Sequence, residues 1–266
     1  MNWLSFAFMQ RALLAGLMVG MICPVMGSFL VLRNMTLIAD TLSHVALAGV
    51  AVALLIGVYP LWGALAATVM AAFFVEKLRR SQELGGDLAI GVVLSGGLAV
   101  GAILLSLRNL NSLDLFGFLF GNILAVTKLD LILIWLLGGI VVAVVWLLYK
   151  PLLAVTFDEE AALARGLPVA KLNGVLMFLA ALTVALAMRM VGVLLISSLM
   201  VLPVAVGLRI GGSFRSFLIS ATAAGVISSL AGLFLAATLN LAPGGSIVLV
   251  SLGLLGLASL KKKQKG

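Results

Sequence analysis

A carboxylate and an imidazole four residues apart, Asp40 and His44, open a long apolar run, and His44 is the only histidine among 266 residues. At helical pitch both side chains fall on one face. An ionisable group at membrane depth costs about 2.5–3.5 kcal/mol even on the lenient insertion scale, so the pair is expected to face a passage rather than lipid. Carboxylate plus neutral imidazole is a donor set for a divalent cation such as Zn²⁺ or Mn²⁺. Two donors are few for a site that favours about four, whereas two copies around a shared axis supply them, which predicts a homodimer with the ion on its axis. A plainer alternative is that Asp40 only caps the helix, accepting backbone N–H bonds at the positive end of the dipole. That alternative leaves His44 unexplained.

The elements that must position this pair are dictated by composition. Apolar residues make up 64% of the chain and charged residues 10%, against about 25% charged in an ordinary soluble domain. Runs rich in Leu, Val, Ala and Gly with no polar alternation exclude a transmembrane barrel and predict an all-α, polytopic helical bundle. At about 20 residues per crossing, spans are read at Ala12–Leu32, Thr41–Val58, Leu61–Val75, Leu88–Leu107, Leu129–Tyr149, Leu172–Met188, Met190–Leu208, Ser216–Leu239 and Ser246–Leu260. That makes nine, with eight to ten allowed. The short pair around Arg189 is a doubtful crossing, and Leu115 to Thr127 reads as a half-helix dipping into the protein.

Basic residues collect on the cytoplasmic side of membrane proteins. With the carboxyl terminus inside, thirteen of the seventeen lie inside: Arg33; Lys77, Arg79 and Arg80; Lys150, Arg165 and Lys171; Arg209 and Arg215; Lys261, Lys262, Lys263 and Lys265. An odd crossing number then puts the amino terminus outside. The net charge of +8 thus reports orientation, not nucleic-acid binding, because the cations sit at span ends and not among aromatics. Met1 to Arg11 lacks the basic start of a cleavable signal peptide, and Cys23, alone inside an apolar run, reads as a small packed hydrophobe. No linker-like or repeated segment divides the chain, so residues 1–266 read as one transmembrane domain. Gly16/Gly20, Gly97/Gly101 and Gly117/Gly121 allow close helix approach, and Pro24 and Pro203 predict kinks.

The second constellation is the longest hydrophilic stretch, Lys150 to Lys171. Asp158 can cap a short helix through Glu160, Ala161 and Ala162, and Gly166 with Pro168 can stop it, which leaves a solvated connector or a docking element. A third set is acidic. Asp114 and Asp130 fall outside, where negative charge concentrates cations at the outer mouth, although solvated helix ends account for them equally. Glu76 is expected to pair with Arg80 one turn on. No P-loop motif occurs, so ATP chemistry would need a separate chain, and one histidine leaves no triad for a hydrolase. The chain is read as a transport subunit without a cofactor of its own.

Asp40-Thr41-Leu42-Ser43-His44, followed by Gly49, resembles the Asp-x-Leu-Ser/Ala-His segment of metal-ion ABC importer permeases, the zinc and manganese uptake subunits. Leu119-Phe120-Gly121-Asn122, the block from Met188 to Pro203, and Ala242-Pro243-Gly244-Gly245 extend the resemblance over nearly the whole chain, closest to the zinc branch. After Pro203 the family often continues Ala-Ala-Thr-Ala, whereas here Val204-Ala205-Val206-Gly207 is more apolar. The resemblance implies a type II ABC importer-like fold, with metal contact at Asp40 and His44. It implies an ATPase-coupling loop at Phe157, Asp158, Glu159, Glu160, Ala161, Ala162, Arg165 and Gly166, where Glu-Ala-Ala precedes glycine. Implied partners are a second copy, two cytoplasmic ATP-binding subunits and an extracytoplasmic metal-binding protein at a bacterial inner membrane. The expected cargo is Zn²⁺, with Mn²⁺ the alternative. An ion-coupled cation carrier, an iron-chelate or cobalamin permease, and a non-transporting scaffold stand as rivals.

Overall fold

The computed structural model describes residues 7–80, 86–107, 117–122 and 126–263, and among them every regular element is helical. In chain order these are α1 (Ala7–Leu32), α2 (Leu37–Ile56), α3 (Pro60–Arg80), α4 (Gly86–Leu107), α5 (Lys128–Leu147), α6 (Tyr149–Phe157), α7 (Glu159–Ala164), α8 (Val169–Val191), α9 (Ile196–Ile210), α10 (Phe214–Leu239) and α11 (Pro243–Lys263). A 3-10 turn at Val193–Leu195 leads into α9. Nine segments among the described residues are long and apolar enough to cross a membrane, with that turn and α9 counted together. All nine expected spans are among them.

Several boundaries differ from expectation by a few residues, and two of the differences fall at the charged residues Asp40 and Arg189. The second span was expected to begin at Thr41, yet α2 starts at Leu37 and runs through Asp40. The pair near Arg189 was expected to break before Met190, yet α8 continues to Val191 and stops at Gly192, whose φ of 85° suits glycine. Polarity alone does not end a helix: Arg189 stays inside because Asp130 pairs with it, and Asp40 stays inside although its side chain is partly open and makes no hydrogen bond among the described residues. Sequence reasoning also missed α6, which carries Pro151. It falls in the first turn of that helix, where its missing N–H costs nothing.

The turns follow local chemistry. Between α1 and α2 the chain reverses with Asn34 in the left-handed region (φ 57°) and the Met35 N–H on the Leu30 carbonyl at 2.8 Å. Gly57 closes α2 by returning its N–H to Ala53, and Pro60 opens α3. Helices α1 and α8 are buried along most of their lengths, and α4, α5 and α11 are largely exposed. Helix α1 packs on α10, α9, α5 and α8, while α2 is held between α3 and α4. Proline-bearing α9 turns Val204 and Val206 into the protein, and Gly207 presses on Phe217 and Ala221 of α10. The apolar run after Pro203 is thus a packing surface.

Of the expected half-helix, residues 117–120 are helical and Gly121 (φ 81°) lies against the Met190 carbonyl, where no side chain would fit. Residues 115, 116 and 123–125 fall outside the described part of the chain.

Candidate functional site

Asp40 sits in the first turn of α2 and His44 one turn further, with His44 Nε2 3.9 Å from Asp40 Oδ1. Their side chains are 35% and 14% exposed, respectively. Neither makes a hydrogen bond through its side chain among the described residues, and the imidazole Nδ1 is buried without a partner. Such an orphaned polar atom costs on the order of 1–3 kcal/mol. A pair that is near but unbonded, and partly open, is ready to accept a third group. Capping does not explain Asp40: Thr36 occupies the cap position, and the carboxylate lies inside the helix without bonding its free N–H groups.

Neighbouring helices hold this face in place. Gly97 of α4 lies under Val45, the residue after His44, and Gly101 lies beside Ala48. On the other side Gly49 of α2 and Gly63 of α3 meet backbone to backbone. Leu42 and Ala46 are fully buried, so the helix cannot rotate the pair inward without exposing its core face. Among the described residues no third His, Cys, Asp or Glu joins the two. One chain therefore offers half of a typical coordination shell.

The expected coupling loop forms a compact element at the Arg33 end of the bundle. Asp158 caps α7, its carboxylate accepting the Ala161 N–H at 2.9 Å, and Gly166 (φ 77°) turns the chain out of the helix. Ala162 is buried, Ala161 is half-buried, and Phe157, Glu160, Leu163, Arg165 and Gly166 are exposed. Phe157 and Leu163, 66% and 65% exposed, give this helix an apolar outer surface. Glu159 points the opposite way.

Its carboxylate pairs with Arg33 in the α1–α2 turn and accepts from Asn173 of α8 at 3.1 Å, while Arg79 of α3 stands 3.6 Å away. Arg33 also donates to Asn173 at 2.8 Å. Glu76, itself buried, accepts from Arg79 at 3.2 Å and from Arg80 at 2.7 Å. One network thus ties the loop to α1, α3, α8 and the chain leading into α2. Burial and the neighbouring Arg79 lower Arg33 to about 10, with Glu76 opposing, so it stays cationic at neutral pH. Sequence reasoning anticipated the Glu76–Arg80 pair and missed Arg33, Arg79 and Asn173. The one available signal was Asn173 itself, an amide inside an apolar run.

At the opposite end stands Asp130. It was read as a charge at the outer mouth or a solvated helix end, and its side chain is neither open nor solvated, with 0% exposure. Its carboxylate takes the Thr127 N–H at 2.9 Å in a capping box, the Tyr59 hydroxyl at 2.6 Å and the Arg189 guanidinium at 3.1 Å. Arg189 also lies over the Tyr59 ring, 5.9 Å from its centroid. The cluster fastens α5, the α2–α3 turn and the end of α8 together. Asp114 lies outside the described residues.

Comparison with known proteins agrees with this architecture. The profile of the ABC 3 transport family matches residues 5–262. The chain is 35% identical to the manganese transport system membrane protein MntC of Halalkalibacterium halodurans over 263 residues, covering 99% of this chain and 90% of that one. It is also 35% identical to the manganese import system permease protein ScaB of Streptococcus gordonii over 247 residues, covering 93% and 88%. The solved structure of PsaBC from Streptococcus pneumoniae in complex with Fab contains a chain with a TM-score of 0.86 and 34% identity, covering 96% of this chain and 92% of that one.

Proposed function

This chain belongs to the ABC 3 transport family, a metal-ion ABC importer permease, and from that premise we propose that it carries a divalent cation through a pathway shared by two copies, with Asp40 and His44 of each contacting the ion. The observation that carries the reading is the unpartnered Asp40–His44 pair, 3.9 Å apart and partly open on a helix otherwise packed into the core. Two such pairs supply two carboxylates and two imidazoles. That mixed oxygen and nitrogen set accepts Mn²⁺ as well as Zn²⁺. Zinc was the first expectation from sequence; the relatives carry manganese in their names, which moves Mn²⁺ to first place in this proposal and Zn²⁺ to second.

Two ATP-binding subunits would dock at α7, on the exposed Phe157 and Leu163, with a metal-delivering protein at the Arg189 end. In this reading the Arg33 end, with its basic residues, is the cytoplasmic side of a multi-pass protein in a bacterial plasma membrane. When a docked ATPase displaces α7, Glu159 pulls on Arg33, and seven residues on lies Asp40. The charge network is in this reading the mechanical link between ATP and the ion. A metal ligand needs fixed donors that release their guest, so two donors per copy, completed by water, suit transport better than a closed cage.

The test is uptake by proteoliposomes holding the permease with its ATPase, with Mn²⁺ and Zn²⁺ offered separately and in competition. ATP-dependent uptake of one of them, lost in Asp40→Asn and in His44→Ala while the complex still assembles, is the expected result. Uptake that persists in both variants would remove the site assignment. Gly166→Asp is expected to leave ATP hydrolysis running without import.

A further inference from the structure

At the Arg33 end, away from the network's interior, α3 and α8 diverge around a cavity of about 550 Å³. Its floor is apolar, made by Phe73, Val175 and Phe178, and its rim carries Lys77, Arg80 and Lys171. Gly174 opens it: a Cβ there would meet only the edge of the Phe73 ring, at 4.0 Å. On α3 the cation at 77 stands one turn above the aromatic at 73, and on α8 the cation at 171 stands above 175 and 178. Both helices therefore present the same order, charge at the end of the bundle and grease one turn deeper.

Two of the three rim charges, Lys77 and Lys171, are not consumed by the protein. Glu76, the one carboxylate lining the cavity, is 5% exposed and already bonded to Arg79 and Arg80. Lys77 and Lys171 are exposed and make no ion pair among the described residues. Arg80 turns one nitrogen to the Ala170 carbonyl, which bridges the two helices across the mouth. Phe73, 50% exposed, faces outward from a membrane-crossing helix.

We propose that this groove is a binding site for an anionic phospholipid, its phosphate held between Lys77 and Lys171 beside the Arg80–Ala170 bridge and one acyl chain lying on Phe73, Val175 and Phe178. A soluble phosphate would use the rim and leave the apolar floor in water. A lipid uses both, and basic pockets between helices at a membrane surface have this chemistry. Placement in the cytoplasmic leaflet rests on the orientation proposed above; binding itself does not, and neither depends on which ion is carried.

The experiment is native mass spectrometry of the intact transporter complex, released from detergent after titration with dioleoyl phosphatidylglycerol or dioleoyl phosphatidylcholine. Wild type is expected to retain phosphatidylglycerol preferentially, and Lys77→Gln with Lys171→Gln to weaken it on the order of 30-fold. Gly174→Leu keeps every charge but fills the groove, and is expected to lose the same lipid. Inorganic phosphate in excess should not displace it. Equal retention by wild type and by the double variant, or equal retention of phosphatidylcholine, would overturn the proposal. Displacement by inorganic phosphate would overturn it too, by making the groove a site for a soluble anion.

Discussion

Asp40 and Asp130 both lie in the first turn of a membrane-crossing helix, one residue apart in register, and have opposite fates. Asp130 is fully buried and saturated by Thr127, Tyr59 and Arg189. Asp40 is partly open, and among the described residues its carboxylate has an imidazole at 3.9 Å and no hydrogen bond. A buried carboxylate with all its lone pairs engaged is a fastener; one left without hydrogen bonds beside an orphaned imidazole nitrogen is a receptor. Position on the helix gives Asp130 only its Thr127 bonds. What comes from other helices separates the two roles.

The sharpest way to break the contrast is on the receptor side. Asp40→Asn should abolish ion uptake and leave thermal unfolding of the purified protein nearly unchanged, because that carboxylate bonds nothing in the fold. A large fall in melting temperature in this variant would show that Asp40 is a fastener as well. On the other side, Asp130→Asn strands the Arg189 charge, and breaking a buried pair in this way costs about 3–5 kcal/mol. A lower melting temperature and reduced yield are expected, readable by fluorescence-detected thermal melts.

Glu159→Gln tests the third carboxylate, which links elements without being fully buried. Its pair with Arg33 weakens while Asn173 still bonds it, so assembly is expected to hold while more ATP is hydrolysed per ion imported. Unchanged stoichiometry would make the network a passive brace. The smallest effect belongs to Tyr59→Phe, which removes one hydrogen bond to Asp130 and costs about 1 kcal/mol at neutral pH.

That variant also has a pH signature. Burial first, and then the bond to Asp130, push the Tyr59 phenol above its ordinary value. A folded value above the unfolded one, about 10, means the contribution is complete below that pH and is lost as pH rises through the folded pKa. Stability of the wild type should therefore fall on the alkaline side more steeply than that of Tyr59→Phe, in melts taken across that range.

Much of the architecture follows from residue order. Twenty-residue apolar runs must be helical in lipid because nothing else satisfies their backbone, so the nine spans were legible, as were the capped helix at Asp158 and the paired spacing of Asp40 and His44. Helix ends were misplaced at Asp40 and Arg189 because polarity looks like an exit to water, whereas Asp40 lies partly open inside a helix and Arg189 is held by a partner. For Arg189 that partner is Asp130, 59 residues away.

Sequence alone thus determined the nine membrane-length apolar helices found among the described residues and the candidate ligands, because insertion energetics and helical pitch are local properties. Tertiary structure alone decided which charges are spent and which are available. Arg33 finds Glu159, Tyr59 finds Asp130, and the imidazole of His44 finds nothing, because hydrogen bonding and desolvation depend on neighbours that no spacing along the chain announces.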